Sequence, residues 1–273
     1  GRLKQEQRTG SRVVIGDEVD VRIGPAAATI ESVLARRTEL VRRGRGRAPK
    51  ILAANLDRVF VVIALREPRG SLQLVDRMLV LVESSGMHPV LVLNKADLEN
   101  TASTSGAWSD LYRSVGYRVL VTSAETGVGI PELHDELCHG SSALIGPSGA
   151  GKSTLLNAVD PGLELRTGAL SRKTGTGRHT TVGSRLIALE CGGLVADTPG
   201  FGDVGLWAVD PEAVGSCFPE FHGPAEGCRF RGCTHVHEPG CSVRAALEEG
   251  EIAPSRYENY VLLREEAAEQ EGF

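Results

Sequence analysis

Gly146-Pro147-Ser148-Gly149-Ala150-Gly151-Lys152-Ser153 sets glycines, a lysine and a serine at the spacing G-x-x-x-x-G-K-[ST]. Such a loop wraps successive backbone N–H groups around a phosphate. Lys152 supplies a point charge and Ser153 offers a hydroxyl to Mg²⁺. Ser142-Ala143-Leu144-Ile145 before it reads as the end of a buried strand, and Thr154-Leu155-Leu156-Asn157-Ala158 after it as a helix opening. Strand, loop and helix in that order are the context the chemistry needs.

Asn94-Lys95-Ala96-Asp97 fits N-K-x-D at the carboxyl end of an apolar run, Pro89-Val90-Leu91-Val92-Leu93. A carboxylate there can accept from the N1–H and N2–H₂ edge of guanine, a donor pair that adenine lacks, so Asp97 would select GTP over ATP. Val121-Thr122-Ser123-Ala124 ends the next strand, where Ser123 and Ala124 can back the base. Asp197-Thr198-Pro199-Gly200 gives D-x-x-G after Leu194-Val195-Ala196; Asp197 can hold an Mg²⁺-bound water and the Gly200 N–H can meet the γ-phosphate. Between them, Gly175-Thr176-Gly177-Arg178-His179-Thr180-Thr181 suits a loop that orders around Mg²⁺ and the γ-phosphate. Thr181 or Thr180, beside Ser153, could complete the metal shell, and the sequence does not separate the two. Position 201, where a glutamine would orient the attacking water, is Phe201. His179 is then the nearest polar candidate in sequence, beside the plain alternative of a surface histidine.

A second constellation lies downstream. Cys228-x₄-Cys233-x-His235-x₅-Cys241 offers three thiolates and an imidazole, a tetrahedral set for structural Zn²⁺, with His237 as a competing ligand. Four protein ligands leave no open position for catalysis. Cys138, Cys191 and Cys217 read as unremarkable core or surface residues.

The elements that must position these residues follow from the apolar pattern. Leu56–Leu65 is a near-continuous β-branched run of the kind buried on both faces, and Ser71 precedes Leu74, Val75, Met78, Leu79 and Val82 at helical spacing. Residues 100–106 read as a Ser/Thr-rich loop, 108–115 as a helix and 117–121 as a strand. Alternating strands and helices imply an α/β domain with a parallel, doubly wound sheet. The first fifty residues, with short alternating runs at 12–21 and 29–34, suggest a small β-barrel. Because they begin inside it, its first strand or two are expected short or missing.

Length, 273 residues, favours two or three units, and 41% hydrophobic with 24% charged residues is ordinary globular composition. The net charge of −5 is uneven: residues 1–50 hold 12 Lys+Arg against 6 Asp+Glu, leaving −11 for the rest. Residues 36–50 alone carry seven basic side chains against one Glu, as either a solvated loop or a contact to nucleic-acid phosphates. No run of about 18 apolar residues and no signal peptide are present, so a soluble, cytoplasmic chain without membrane contact is expected.

Here the guanine elements precede the phosphate loop, although GTPases usually show the reverse. In that order, followed by Cys228, Cys233, His235 and Cys241, the chain resembles the RsgA (YjeQ) family of circularly permuted bacterial GTPases over about residues 51–241, and more loosely at the flanks. The resemblance implies an OB-type β-barrel over 1–50, a circularly permuted P-loop GTPase domain over 51–206 and a helical zinc-binding domain over 207–273. It implies a site of Asn94, Lys95, Asp97, Ser123, Ala124, Gly146, Ser148, Gly149, Ala150, Gly151, Lys152, Ser153, Thr154, Thr180, Thr181, Asp197 and Gly200 around GTP or GDP and Mg²⁺. It also implies that His179 assists hydrolysis, and that a monomer works on the small ribosomal subunit and its rRNA, which raises a low intrinsic activity. An RNA-binding scaffold that uses nucleotide only to fix its shape stays open, since the basic segment, the barrel and the Cys/His set suit it equally. A P-loop kinase or ATPase leaves residues 94–97 unexplained.

Overall fold

A computed structural model describes residues 13–25, 27–43, 49–98, 101–165, 185–197 and 209–271. The chain opens with two antiparallel pairs, β1 (Val19–Ile23) with β2 (Ala28–Val33) and β3 (Glu39–Arg43) with β4 (Pro49–Ala54). A single bridge, Ile15 to Ala53, ties the start of the described chain to β4. Within the basic segment, Glu39–Arg43 is paired strand and residues 49–50 open its partner. Arg36 is a structural cation: its Nε and Nη2 donate to Asp17 at 2.6 and 3.0 Å, and Nη1 to Glu39 at 3.1 Å. The Asp17 hydrogen bond, working against desolvation, holds the guanidinium above its ordinary pKa. β4 also runs across the expected boundary at residue 50, because Leu52 and Ala53 face the core rather than starting the next sheet.

The next unit is a six-stranded sheet among the described residues, ordered β7-β6-β5-β8-β10-β9. Its strands are β5 (Arg58–Ala64), β6 (His88–Asn94), β7 (Arg118–Thr122), β8 (Ser141–Ile145), β9 (Arg185–Ala188) and β10 (Leu194–Asp197). All pair in parallel except the β9–β10 hairpin. The β-branched run in β5 does what its composition predicts. Val59, Val61 and Ile63 enter the core on one face, while Phe60 and Val62 enter the core on the other.

Helices α1 (Leu72–Glu83) and α2 (Ala102–Ser114) cover the first face; α3 (Ile130–Leu137) and α4 (Lys152–Val159) cover the second. Ser71 caps α1, its Oγ accepting from Leu74 N at 3.2 Å, and the Val75, Met78, Leu79, Val82 stripe is buried against the sheet. α2 begins six residues earlier than its apolar pattern indicates. Thr101 Oγ1 donates to Ala96 O and Leu98 O at 2.8 and 2.7 Å, tying down the turn from which the polar segment winds into helix.

The last unit holds α5 (Pro219–Ala225), α6 (Ser242–Glu248) and α7 (Pro254–Glu271) around Phe218, Phe221, Val243, Ile252, Tyr260 and Leu263. Val80 of α1 belongs to this cluster, so α1 is buried on two sides. Where α1 meets α7, Arg256 is 1% exposed. It donates to Asp76 at 2.5 Å and, in a fork, to Glu220 at 2.7 and 3.0 Å. Tyr112 and Asn259 also donate to Asp76, at 2.6 and 2.5 Å. Burial pushes the Asp76 carboxyl up against the pull of these partners. Burial also opposes charge on Arg256, but Asp76 and Glu220 more than offset it and hold its pKa high. No described helix is long and apolar enough to cross a membrane.

Candidate functional site

The motif residues gather at the carboxyl ends of β6, β7, β8 and β10, the edge where open α/β sheets bind ligands. β8 is flanked by β5 and β10, so the phosphate loop leaves the sheet centrally. Gly146 turns out of the strand at φ +149°, where a Cβ would lie 2.1 Å from Val62 O. Gly151 opens α4 at φ +97°, where a Cβ would lie 2.3 Å from Asn94 Nδ2. Only glycine satisfies both approaches. Ser148 and Gly149 are exposed at the loop tip, Ala150 is buried beneath it, and Ser153 and Thr154 follow in the first turn of α4.

Asn94 joins the guanine element to this loop. Its Nδ2 donates to Ala150 O at 2.8 Å, and its Oδ1 accepts from Thr122 Oγ1 at 3.1 Å. Three strand ends are thereby tied through one buried side chain. The tie extends outward, because Ser123 Oγ donates to Asp97 Oδ1 at 2.6 Å and Ala96 N donates to Thr122 O at 3.1 Å. Ser123 is buried and itself capped, its Oγ accepting from Thr126 N at 3.1 Å, while Asp97 is exposed and Ala124 packs against the core below. A fixed, solvent-facing carboxylate with one oxygen already held by a hydroxyl is an acceptor for a planar donor edge.

Lys152 donates to Gly146 O at 2.7 Å and Pro147 O at 3.0 Å. Burial lowers its pKa to about 8. An ammonium half-desolvated among carbonyls gains strongly from an arriving phosphate. Lys95 donates to Glu67 O, and Pro68 Cδ stands 3.1 Å from where a Gly149 Cβ would be, so the connection after β5 closes one side of the loop. β10 carries Asp197 to the sheet edge beside β8. The expected roles of His179, Thr180, Thr181, Gly200 and Phe201 fall outside the described residues.

Cys228, Cys233, His235 and Cys241 converge with all ligand atoms within 4.8 Å of one another. Cys228 Sγ lies 3.9 Å from Cys241 Sγ, and the two sulfurs lie 3.6 and 3.5 Å from His235 Nδ1. A tetrahedral zinc shell requires edges of about 3.8 Å between sulfurs and about 3.6 Å between sulfur and nitrogen. The set therefore fits zinc. His237 is exposed and outside the cluster. The ligand loop is braced by Glu238, which accepts from Thr234 N and Thr234 Oγ1 at 2.9 and 2.5 Å. Tyr257 braces it too, donating to His235 O at 2.7 Å.

The RsgA GTPase family model matches residues 33–207. The chain belongs to the RsgA GTPase family. A relative from Gemmatimonas aurantiaca called small ribosomal subunit biogenesis GTPase RsgA is 46% identical over 97% of this chain and 88% of its own length. Among solved structures, YjeQ from Thermotoga maritima superposes with a TM-score of 0.79 at 35% identity, over 97% of this chain and 87% of that one. YloQ, a structure described as a circularly permuted GTPase, gives 0.75 at 31% identity, over 97% and 84%.

Three features of this RsgA-family chain escape sequence reasoning. Thr122 stands inside the V-T-S-A stretch, yet only the fold reveals that it holds Asn94. The Glu67–Pro68 connection carries no motif at all. Cys138 and Cys191, expected to be unremarkable, form a disulfide across a sequence separation of 53, because the β9–β10 turn folds onto the end of α3. No local spacing signals that pairing.

Proposed function

We propose that this chain is a Mg²⁺-dependent GTPase of small-ribosomal-subunit biogenesis, stimulated by that subunit and released from it once GTP is spent. The observation that carries the reading is the Asn94 hydrogen bond to Ala150, which ties the N-K-x-D turn and the G-x-x-x-x-G-K-S loop into one frame. The name borne by the Gemmatimonas aurantiaca relative supports the ribosomal partner. Asp97 and Lys95 hold the base with Ser123 and Ala124 behind them. The backbone of Gly146, Ser148, Gly149, Ala150, Gly151 and Thr154 cradles the phosphates with Lys152. Ser153 with Thr181 or Thr180 would hold Mg²⁺ and Asp197 one of its bound waters; the ion would supply charge neutralisation at the phosphates. Gly200 contacts the γ-phosphate, and His179 acts on the attacking water, since Phe201 has no group to do so. The chain works in the cytoplasm as a monomer, with the small β unit ending after Ala54 and the Cys/His helical unit starting near 207.

Asp97→Asn is expected to weaken GTP binding by at least about tenfold and to let xanthosine triphosphate compete. Competition binding measures this directly; an unchanged guanine preference removes Asp97 from base recognition. For the Cys₃His cluster the expectation is one structural zinc per chain. Elemental analysis of Cys233→Ser should show it lost, with a lowered unfolding temperature; retention of a full equivalent overturns the ligand set.

A further inference from the structure

Cys138 ends α3 and Cys191 sits exposed in the turn between β9 and β10. The ring they close holds the phosphate loop and, in sequence, residues 175–181; the hairpin then leads through β10 to Asp197. Leu194 N donates to Gly140 O at 2.9 Å, and a Cβ on Gly193 would lie 1.9 Å from Leu137 O, so the turn rests directly on the end of α3. Both His134 ring nitrogens lie 3.6 Å from Cys138 Sγ. The cysteines of the other cluster behave differently, with Cys228 and Cys241 sulfurs 3.9 Å apart around a common centre. Cys217 is buried, and burial pushes its thiol up to about 12. Accessible, paired thiols next to an imidazole are therefore a distinct chemical group in this chain.

We propose that Cys138 and Cys191 form a reversible thiol–disulfide site, oxidised by a low-molecular-weight disulfide, that locks the β9–β10 hairpin onto α3. In the forward step the Cys138 thiolate attacks the reagent's S–S bond, forming a mixed disulfide and releasing one thiolate. The Cys191 thiolate then attacks Cys138 Sγ, closing the protein disulfide and releasing the second. Two protein thiols lose two electrons and two protons, and the reagent disulfide becomes two thiols. In a reducing compartment a disulfide at an exposed turn is transient and responsive rather than permanent. Its bearing on turnover rests on the GTPase reading, through the strand that carries Asp197.

The test uses the zinc-loaded full chain equilibrated with either oxidised or reduced glutathione. Peptide mapping without reductant should find Cys138 joined to Cys191 only in the oxidised sample, with zinc content equal in both. Amide exchange in residues 186–188 and 194–196 should slow by about tenfold or more on oxidation. The double variant Cys138→Ser, Cys191→Ser should show no difference between the two conditions. If that variant fails to fold, the comparison within the native chain still decides. Free thiols or separate glutathione adducts under oxidation overturn the proposal. So does unchanged exchange, or a second zinc bound by His134, Cys138 and Cys191 in the reduced chain. Neither readout uses GTP, so failure here and failure of the GTPase reading are distinguishable.

Discussion

Lys152→Ala is expected to lower GTP turnover by at least about a hundredfold, the scale on which removing a charged donor from a phosphoryl-transfer site acts. The side chain is already committed to the loop, its ammonium resting on Gly146 O and Pro147 O, so its contribution requires little reorganisation. Its titration sharpens the expectation. Burial lowers the folded-state pKa to about 8 from an ordinary 10.5. Between those values the unliganded chain is largely deprotonated at Lys152, while bound phosphate restores the charge. Nucleotide binding then takes up a proton, and affinity falls as pH rises above about 8. Folding has the opposite sign: the unfolded chain binds the extra proton in that window, so the cost of burying this ammonium is relieved and stability rises as pH rises through it. Isothermal titration at pH 7 and pH 9 measures the binding effect; in Lys152→Ala that component should vanish. Equal pH dependence in both proteins would assign it elsewhere.

Arg256→Ala carries the largest expected effect on stability. Removing one member of a buried, hydrogen-bonded ion network costs about 3–5 kcal/mol, because the carboxylates left behind stay desolvated. Here two lose their countercharge, Asp76 at 0% and Glu220 at 6% side-chain exposure. The guanidinium also lies 4.5 Å from the Phe218 ring centre, so packing is lost with the charge. A fall in unfolding temperature of about 10 °C is expected. Arg256→Lys should recover part of it, keeping the charge but losing the fork to Glu220. A shift within about 0.5 kcal/mol of the native chain would show that the network is solvent-screened. Because Asp76 lies on α1 and Arg256 on α7, the same variant tests whether the nucleotide-binding sheet and the Cys/His unit unfold together.

Legibility in the sequence followed locality. Residues 146–153, 94–97 and 121–124 could be read because each motif packs its chemistry into a few consecutive positions. The β5 run and the α1 stripe could be read because burial imposes a period on them. Asp76 and Arg256 are 180 positions apart, and each alone looks like one more charged helix residue. Cys138 and Cys191 escape for the same reason: fold topology alone brings them together. In the basic stretch 36–50 the charge count hid the alternation that lets Leu40 and Leu52 enter the core as β3 and β4 pair. Arg36 shows the cost of counting, being spent on Asp17 and Glu39 rather than left for a polyanion.

We propose that a guanine-selective phosphate site in this chain does its chemistry in response to the small ribosomal subunit. The direct measurement is GTP turnover by the zinc-loaded chain, titrated with purified small subunits and repeated with His179→Ala. Turnover should be slow alone, rise saturably with subunit and stay absent with ATP. His179→Ala should lower kcat far more than GTP affinity. No hydrolysis with or without subunits would overturn the GTPase reading and leave a scaffold that uses nucleotide only for its shape.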